Sequence, residues 1–325
     1  MLGLLIIAGD ALASGDEAPS PTPIRFGILP IGSASESLEQ WRGLLEELQK
    51  RLGHPVTTVS VSSYAGLSGE IGEQQVDIAF LSGRLAVAAV IHQHMQVFAQ
   101  FVRSDGVAGN VGMLVVRADS PIRNLDDLLG KPGRWRYARN EHLSVTGYTA
   151  PEADVFAPHG LNSDTFFASV RVADHQGNLL SVVNGEVDVA SSNNPDMDLF
   201  RHHFPSEAAQ LRVIWRSPLI PSGVLVLRNG LPPPLREQLT AFILAYGNAA
   251  GEEGVRERAQ LARIPDLGGF APQTNHVLQP FLDMQYALLR QEAEHGQWVS
   301  LQALQARLTH IESDYRRDSL GLLGH

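Results

Sequence analysis

One short pattern occurs twice in this chain: Val76-Asp77-Ile78-Ala79 returns as Val187-Asp188-Val189-Ala190. Around each copy the residues read strand, loop, helix, strand, over 56–79 and over 166–190. A polar aromatic side chain precedes each copy in the same register, Tyr64 in the first and His175 in the second, and Gly66 and Gly177 coincide as well. A tetrapeptide can recur by chance. Element order, glycine and loop side chain recurring together point to two related lobes. Residues 76–81 are too apolar for a half-solvated strand, and short buried strands alternating with helices argue for an α/β fold with a mainly parallel sheet. Such sheets take their ligands outside the carboxyl ends of the strands. Tyr64 and His175 would then sit at comparable strand-to-helix loops and face one crevice.

The rest of the chain fits two lobes. Residues 24–30 read as a strand. Leu38, Trp41, Leu44, Leu45 and Leu48 share one side of a helix predicted over 38–52, which Gly53 stops. Further strands are expected over 111–116, 211–215 and 223–227, and a helix beyond the Leu231-Pro232-Pro233-Pro234 run. The expected division is 24–118 with 217–292 as a discontinuous first lobe, and 119–216 as the second. A loop is expected over 265–273, and 293–325 as one more helix, from about Gln297 to Arg317, with a loose Gly-rich tail. Residues 1–23 read as a secretory signal remnant ending in Ala11-Leu12-Ala13, then a Pro/Ser-rich tether. The chain would therefore work in the periplasm or otherwise outside the cytoplasm.

Composition removes several functions. The chain carries no cysteine, so neither disulfides nor thiolate chemistry is available. A formal charge of -10 disfavours non-specific nucleic-acid binding, yet it leaves a small anion open as ligand, because a pocket can present backbone N–H groups. The histidines form no metal-ligating motif, and neither a GxSxG elbow nor a GxGxxG or GxxxxGK[ST] loop occurs. No enzyme, cofactor or metal site is expected.

The segment most suited to an anion is Ser144-Val145-Thr146-Gly147-Tyr148. Hydroxyls combined with consecutive amides at a helix start suit the three oxygens of a phosphoryl-type group. An ordinary Ser/Thr helix cap would look the same. Ser82 and Arg84 follow the first echo strand, and Asn193 and Asn194 follow the second, where ligand-facing loops are expected. Each also has a bland role, in capping or surface solvation.

Taken in order, these stretches resemble the periplasmic phosphonate-binding proteins of ABC uptake systems, within the phosphate/phosphite/phosphonate substrate-binding family. The likeness runs from about Ile24 to Gly247. It includes Ser63-Tyr64-Ala65-Gly66, the 119–128 segment, the 144–148 loop, His175 and Val213-Ile214-Trp215-Arg216-Ser217-Pro218. It implies a type II-like periplasmic-binding-protein clamshell with the ligand cleft between its lobes. It further implies that Ser144, Val145, Thr146 and Gly147 hold the phosphorus oxyanion beside Tyr64 and His175, with Ser82 and Asn193 nearby. The implied partners are a small phosphorus oxyanion and ABC permease subunits at the membrane, with a monomer expected. A sensory protein of the same fold, reporting to a receptor or histidine kinase, is the alternative. The departures lie opposite the anion loop. Acidic positions that take a ligand's ammonium in aminoalkylphosphonate binders fall on Pro195 and Gly223, an expected tyrosine is Leu81, and Val145 replaces a hydroxyl. Asp196 or Asp198 would have to substitute. A phosphonate, phosphite or related phosphorus oxyanion, without a strong need for a distal amine, is therefore expected.

Overall fold

The computed structural model describes residues 22–30, 33–107 and 109–323. The signal remnant and tether expected over 1–23 lie almost wholly outside them. In chain order the strands are β1 (Ile24–Ile28), β2 (Val56–Ser60), β3 (Ile78–Leu81), β4 (Met95–Arg103), β5 (Gly109–Asn110), β6 (Gly112–Arg117) and β7 (Arg136–Arg139). They continue as β8 (Ser169–Val172), β9 (Val189–Asn193), β10 (Leu211–Arg216), β11 (Ile220–Pro221), β12 (Val224–Arg228) and β13 (Leu267–Pro272).

Two sheets carry the two lobes. The first runs β13-β4-β12-β3-β1-β2 and the second β10-β6-β9-β7-β8. Each holds three parallel strands flanked by antiparallel ones: β2-β1-β3 followed by β12, and β8-β7-β9 followed by β6. The chain passes between the lobes twice, and β5 pairs antiparallel with β11 at those crossings. The strand β6 therefore belongs to the second sheet, between β9 and β10, so the expected first-lobe boundary at 118 falls several residues too late. Its sequence is uniformly apolar and looks alike in either sheet; only pairing decides where it goes.

The repeated pattern is built into both lobes in one constant register. The helices Tyr64–Gly72 and His175–Val183 have equal length, as do Gly83–His92 and Asn194–His203. The aspartate of each repeat holds an arginine 52 residues earlier on the neighbouring strand. Asp77 accepts from the Arg25 backbone N–H at 3.0 Å and from its guanidinium at 2.9 Å. Asp188 takes the Arg136 backbone N–H at 2.8 Å and its guanidinium at 3.0 Å. An arginine clasped in this way locks the carboxylate and the edge of the parallel pair together.

Two further expectations change. Residues 267–272 form β13, an edge strand on β4, where a loop was expected. Gly268 and Gly269 hide its strand character, and pairing with the long β4 supplies what the side chains do not. The carboxyl-terminal region forms two helices, Gln279–His295 and Leu301–Leu323, and the second runs through Gly321 where a loose tail was expected. Buried Leu322 and half-buried Tyr315 join the first-lobe core, which makes that helix a buttress. The helix Gln279–His295 touches both lobes: Phe281 packs against Gly83, and His295 lies over Gly160.

Candidate functional site

The cleft lies between the sheets at the carboxyl ends of the parallel strands, where such folds place ligands. It encloses about 890 Å³ of empty space, part of it open to solvent. Seven of the eight residues expected to bind the ligand line it: Tyr64, Ser82, Ser144, Val145, Thr146, His175 and Asn193. Nearly all are N-caps or first-turn residues of helices. Ser82 and Asn193 cap Gly83–His92 and Asn194–His203, while Tyr64 and His175 open their own helices behind Ser63 and Asp174. The cleft is thus ringed by helix N-termini, whose N–H groups and dipoles favour negative charge. Among the described residues, its lining contains neither lysine nor arginine.

The 144–149 segment supplies three of the lining residues, Ser144, Val145 and Thr146. It winds as a π-helix over Val145–Thr149 with Ser144 as N-cap. Ser144 is buried, and its Oγ accepts from the Gly147 N–H at 3.2 Å. Thr146 Oγ1 accepts from Asn193 Nδ2 at 3.4 Å. Because each hydroxyl uses only an acceptor site on the protein, each keeps its O–H for a ligand. Two other polar groups in the lining are buried without a protein partner, Ser82 Oγ and His175 Nδ1. Buried polar atoms without partners are costly to a fold and mark a place where a ligand or water completes the bonding.

Electrostatics keeps the aromatic pair neutral. Burial raises the Tyr64 hydroxyl pKa, and the nearby Asp196 and Glu141 charges raise it further, so it remains a donor. Burial lowers the His175 pKa against the opposing pull of Asp196 and Asp174. Tyr64 and His175 also face a second opening lined by Glu141 and Asp174, and thus stand between the two spaces.

Gly147 does not line the cleft. Its N–H is taken by Ser144, its carbonyl accepts from Ser191 Oγ at 2.6 Å, and a Cβ there would lie 2.2 Å from Asn140 Oδ1. Its role is to let Asn140 approach. Asn140 in turn accepts from Asn178 Nδ2 at 3.1 Å, so a buried network of Asn140, Asn178 and Ser191 fixes the loop from behind. Sequence reading missed these three, since a buried asparagine has no signature outside its network. Arg84 also lies outside the lining. It reaches across the lobes to donate to the His142 carbonyl at 2.7 Å and to Thr149 Oγ1 at 3.3 Å.

The positions expected to lack carboxylates, Pro195 and Gly223, do line the cleft, whereas Leu81 is wholly buried. Of the two suggested substitutes, Asp198 is exposed and paired with Arg201, while Asp196 lines the cleft with its Oδ1 accepting from Gln176 Nε2 at 3.3 Å.

Comparison with known proteins places this architecture. Residues 26–277 match the model of the family described as ABC transporter, phosphonate, periplasmic substrate-binding protein. The phosphonates-binding periplasmic protein of Escherichia coli is 35% identical over 235 residues, covering 72% of this chain and 69% of that protein. The phosphate-import protein of Mycolicibacterium smegmatis is 24% identical over 269 residues, covering 78% and 82%. The crystal structure of a binding protein component of an ABC phosphonate transporter from Pseudomonas aeruginosa superposes with a TM-score of 0.84 at 28% identity, covering 93% of this chain and 97% of that one. No described helix is long and apolar enough to cross a membrane. With its two-lobed sheets and its ring of helix N-termini, the chain belongs to the family of periplasmic substrate-binding proteins of phosphonate ABC transporters.

Proposed function

We propose that this protein captures a phosphorus oxyanion, a phosphonate or phosphite, outside the cytoplasm and delivers it as a monomer to the permease subunits of an ABC importer. The observation that carries the reading is the unfilled donor set: the Ser144 and Thr146 hydroxyls on one lobe, and Ser82 Oγ on the other, beside His175 Nδ1. Neutral donors and helix ends can hold an oxyanion in a dry cleft without a formal cation, so the overall charge of -10 does not oppose capture. Both lobes supply donors, so ligand binding favours the closed arrangement over the open one. Nothing in this donor set pairs a nucleophile with a base, and the ligand leaves unchanged. Pro195 and Gly223 offer no carboxylate, which removes the partners that would offset desolvation of a distal ammonium.

Isothermal titration against methylphosphonate, phosphite, phosphate and 2-aminoethylphosphonate tests this. Methylphosphonate or phosphite is expected to bind at micromolar levels or tighter, with no advantage for the aminated ligand. Failure of every phosphorus oxyanion to bind, or a clear preference for 2-aminoethylphosphonate, overturns the reading.

A further inference from the structure

Beside the polar donors, much of the cleft lining is apolar. Phe80 and Phe101 form one wall with ring centroids 5.8 Å apart, and Trp41 backs Phe80 at 5.5 Å. Ile220 from the crossing ribbon and Leu199 from the second lobe also line the cleft. Gly223 is essential to this arrangement. A Cβ there would stand 2.7 Å from the Phe80 ring and 2.9 Å from the Leu81 carbonyl oxygen, so the ring occupies the space that a side chain at 223 would need. Of the two carboxylates in the lining, Asp266 pairs with Arg103 at 2.9 Å, and Asp196 accepts through Oδ1 from the neutral amide of Gln176 at 3.3 Å.

Building on the oxyanion reading above, we infer that the preferred ligand is a phosphonate with an apolar substituent of several carbons, alkyl or aryl, seated against Phe80, Phe101, Ile220 and Leu199. The phosphonate oxygens sit in the helix-end cradle, and the carbon chain displaces water from the aromatic wall. Burial of each methylene should tighten binding by about threefold to fourfold until the wall is covered.

A homologous series tests this by titration of the full chain: methyl-, ethyl-, propyl- and phenylphosphonate, with 2-aminoethylphosphonate as the near-isostere of the propyl compound. The expected result is a stepwise gain from methyl to propyl, phenyl tighter than methyl, and 2-aminoethyl weaker than propyl by at least tenfold. Leu199→Ala should flatten the slope of the series. Methylphosphonate binding without any gain along the series overturns the apolar-substituent proposal alone, whereas 2-aminoethylphosphonate tighter than propylphosphonate overturns it together with the reading of a cleft that does not favour a distal amine. Failure of every organophosphonate while phosphite binds overturns this inference alone, and failure of phosphite and phosphate as well overturns it together with the oxyanion reading.

Discussion

The first helix after the opening strand starts differently in the two repeats. In the first lobe, Ser33 caps Ala34–Leu52, and Glu36 closes a capping box. The Glu36 carboxylate accepts from the Ser33 N–H at 3.0 Å and from the Ser33 hydroxyl at 2.8 Å, and those bonds hold its pKa below the ordinary glutamate range. In the second lobe, Ser144 occupies the same register, with Gly147 where Glu36 stands. One helix start brings its own anion. The other has none, and its hydroxyls face the cleft. By this correspondence, the Glu36 carboxylate stands in the first lobe where the oxyanion is proposed to sit in the second.

Breaking the second-lobe start should have the largest effect. The double substitution Ser144→Ala, Thr146→Ala removes two hydroxyl donors to a charged ligand and should weaken binding about a hundredfold or more. Titration calorimetry measures the loss, and circular dichroism should show an unchanged fold. Unaltered affinity would show that the cradle lies elsewhere.

The two arginine clasps sharpen the comparison at the level of stability. Asp77, with 6% of its side chain exposed, also takes the Arg228 guanidinium at 2.8 Å; Asp188, 28% exposed, has Arg136. Asp77→Asn should therefore cost about 3 kcal/mol and Asp188→Asn about 1 kcal/mol, read from urea denaturation. Burial pushes both carboxyls up, but hydrogen bonds from their arginines outweigh it and hold both pKa values below the ordinary range. Their stabilisation is thus complete above pH ~4 and is lost as pH falls through the folded-state values. Equal costs for the two substitutions would show that the additional arginine contributes nothing.

The smallest effect belongs to the first-lobe cap. Glu36→Gln leaves a hydrogen-bonding group at the helix start without its charge, and should cost about 0.5 kcal/mol. Ligand affinity should be unaltered, because Ser33 and Glu36 are exposed and stand outside the cleft lining. A change in affinity would break the proposed division between a self-capped start and an open one.

The echo was readable because its residues answer to local rules. Val-Asp-x-Ala marks a buried strand with its clasping aspartate, and Tyr64, His175, Ser82 and Asn193 stand at helix starts, where sequence signals are strongest. Other features gave no such signal. The strand β6 is apolar enough for either sheet, and its lobe is decided by pairing with β9 and β10. The glycines of β13 conceal a strand that β4 imposes. Gly147 looks like a point of ligand approach, yet its missing Cβ makes room for Asn140. The equivalence of Ser33 with Ser144 is also silent in sequence, because the side chains around it share nothing beyond the serine.

The sequence by itself determined the α/β class, the doubled lobe and many of the polar residues that line the cleft, since burial period, helix caps and glycine placement are short-range properties. Only the tertiary structure decided which lobe takes β6, that Gly223 yields its space to the Phe80 ring, and that Phe80, Phe101, Ile220 and Leu199 line one cleft with the helix starts. Those outcomes depend on residues far apart in the chain meeting at one place, and no local pattern encodes such a meeting.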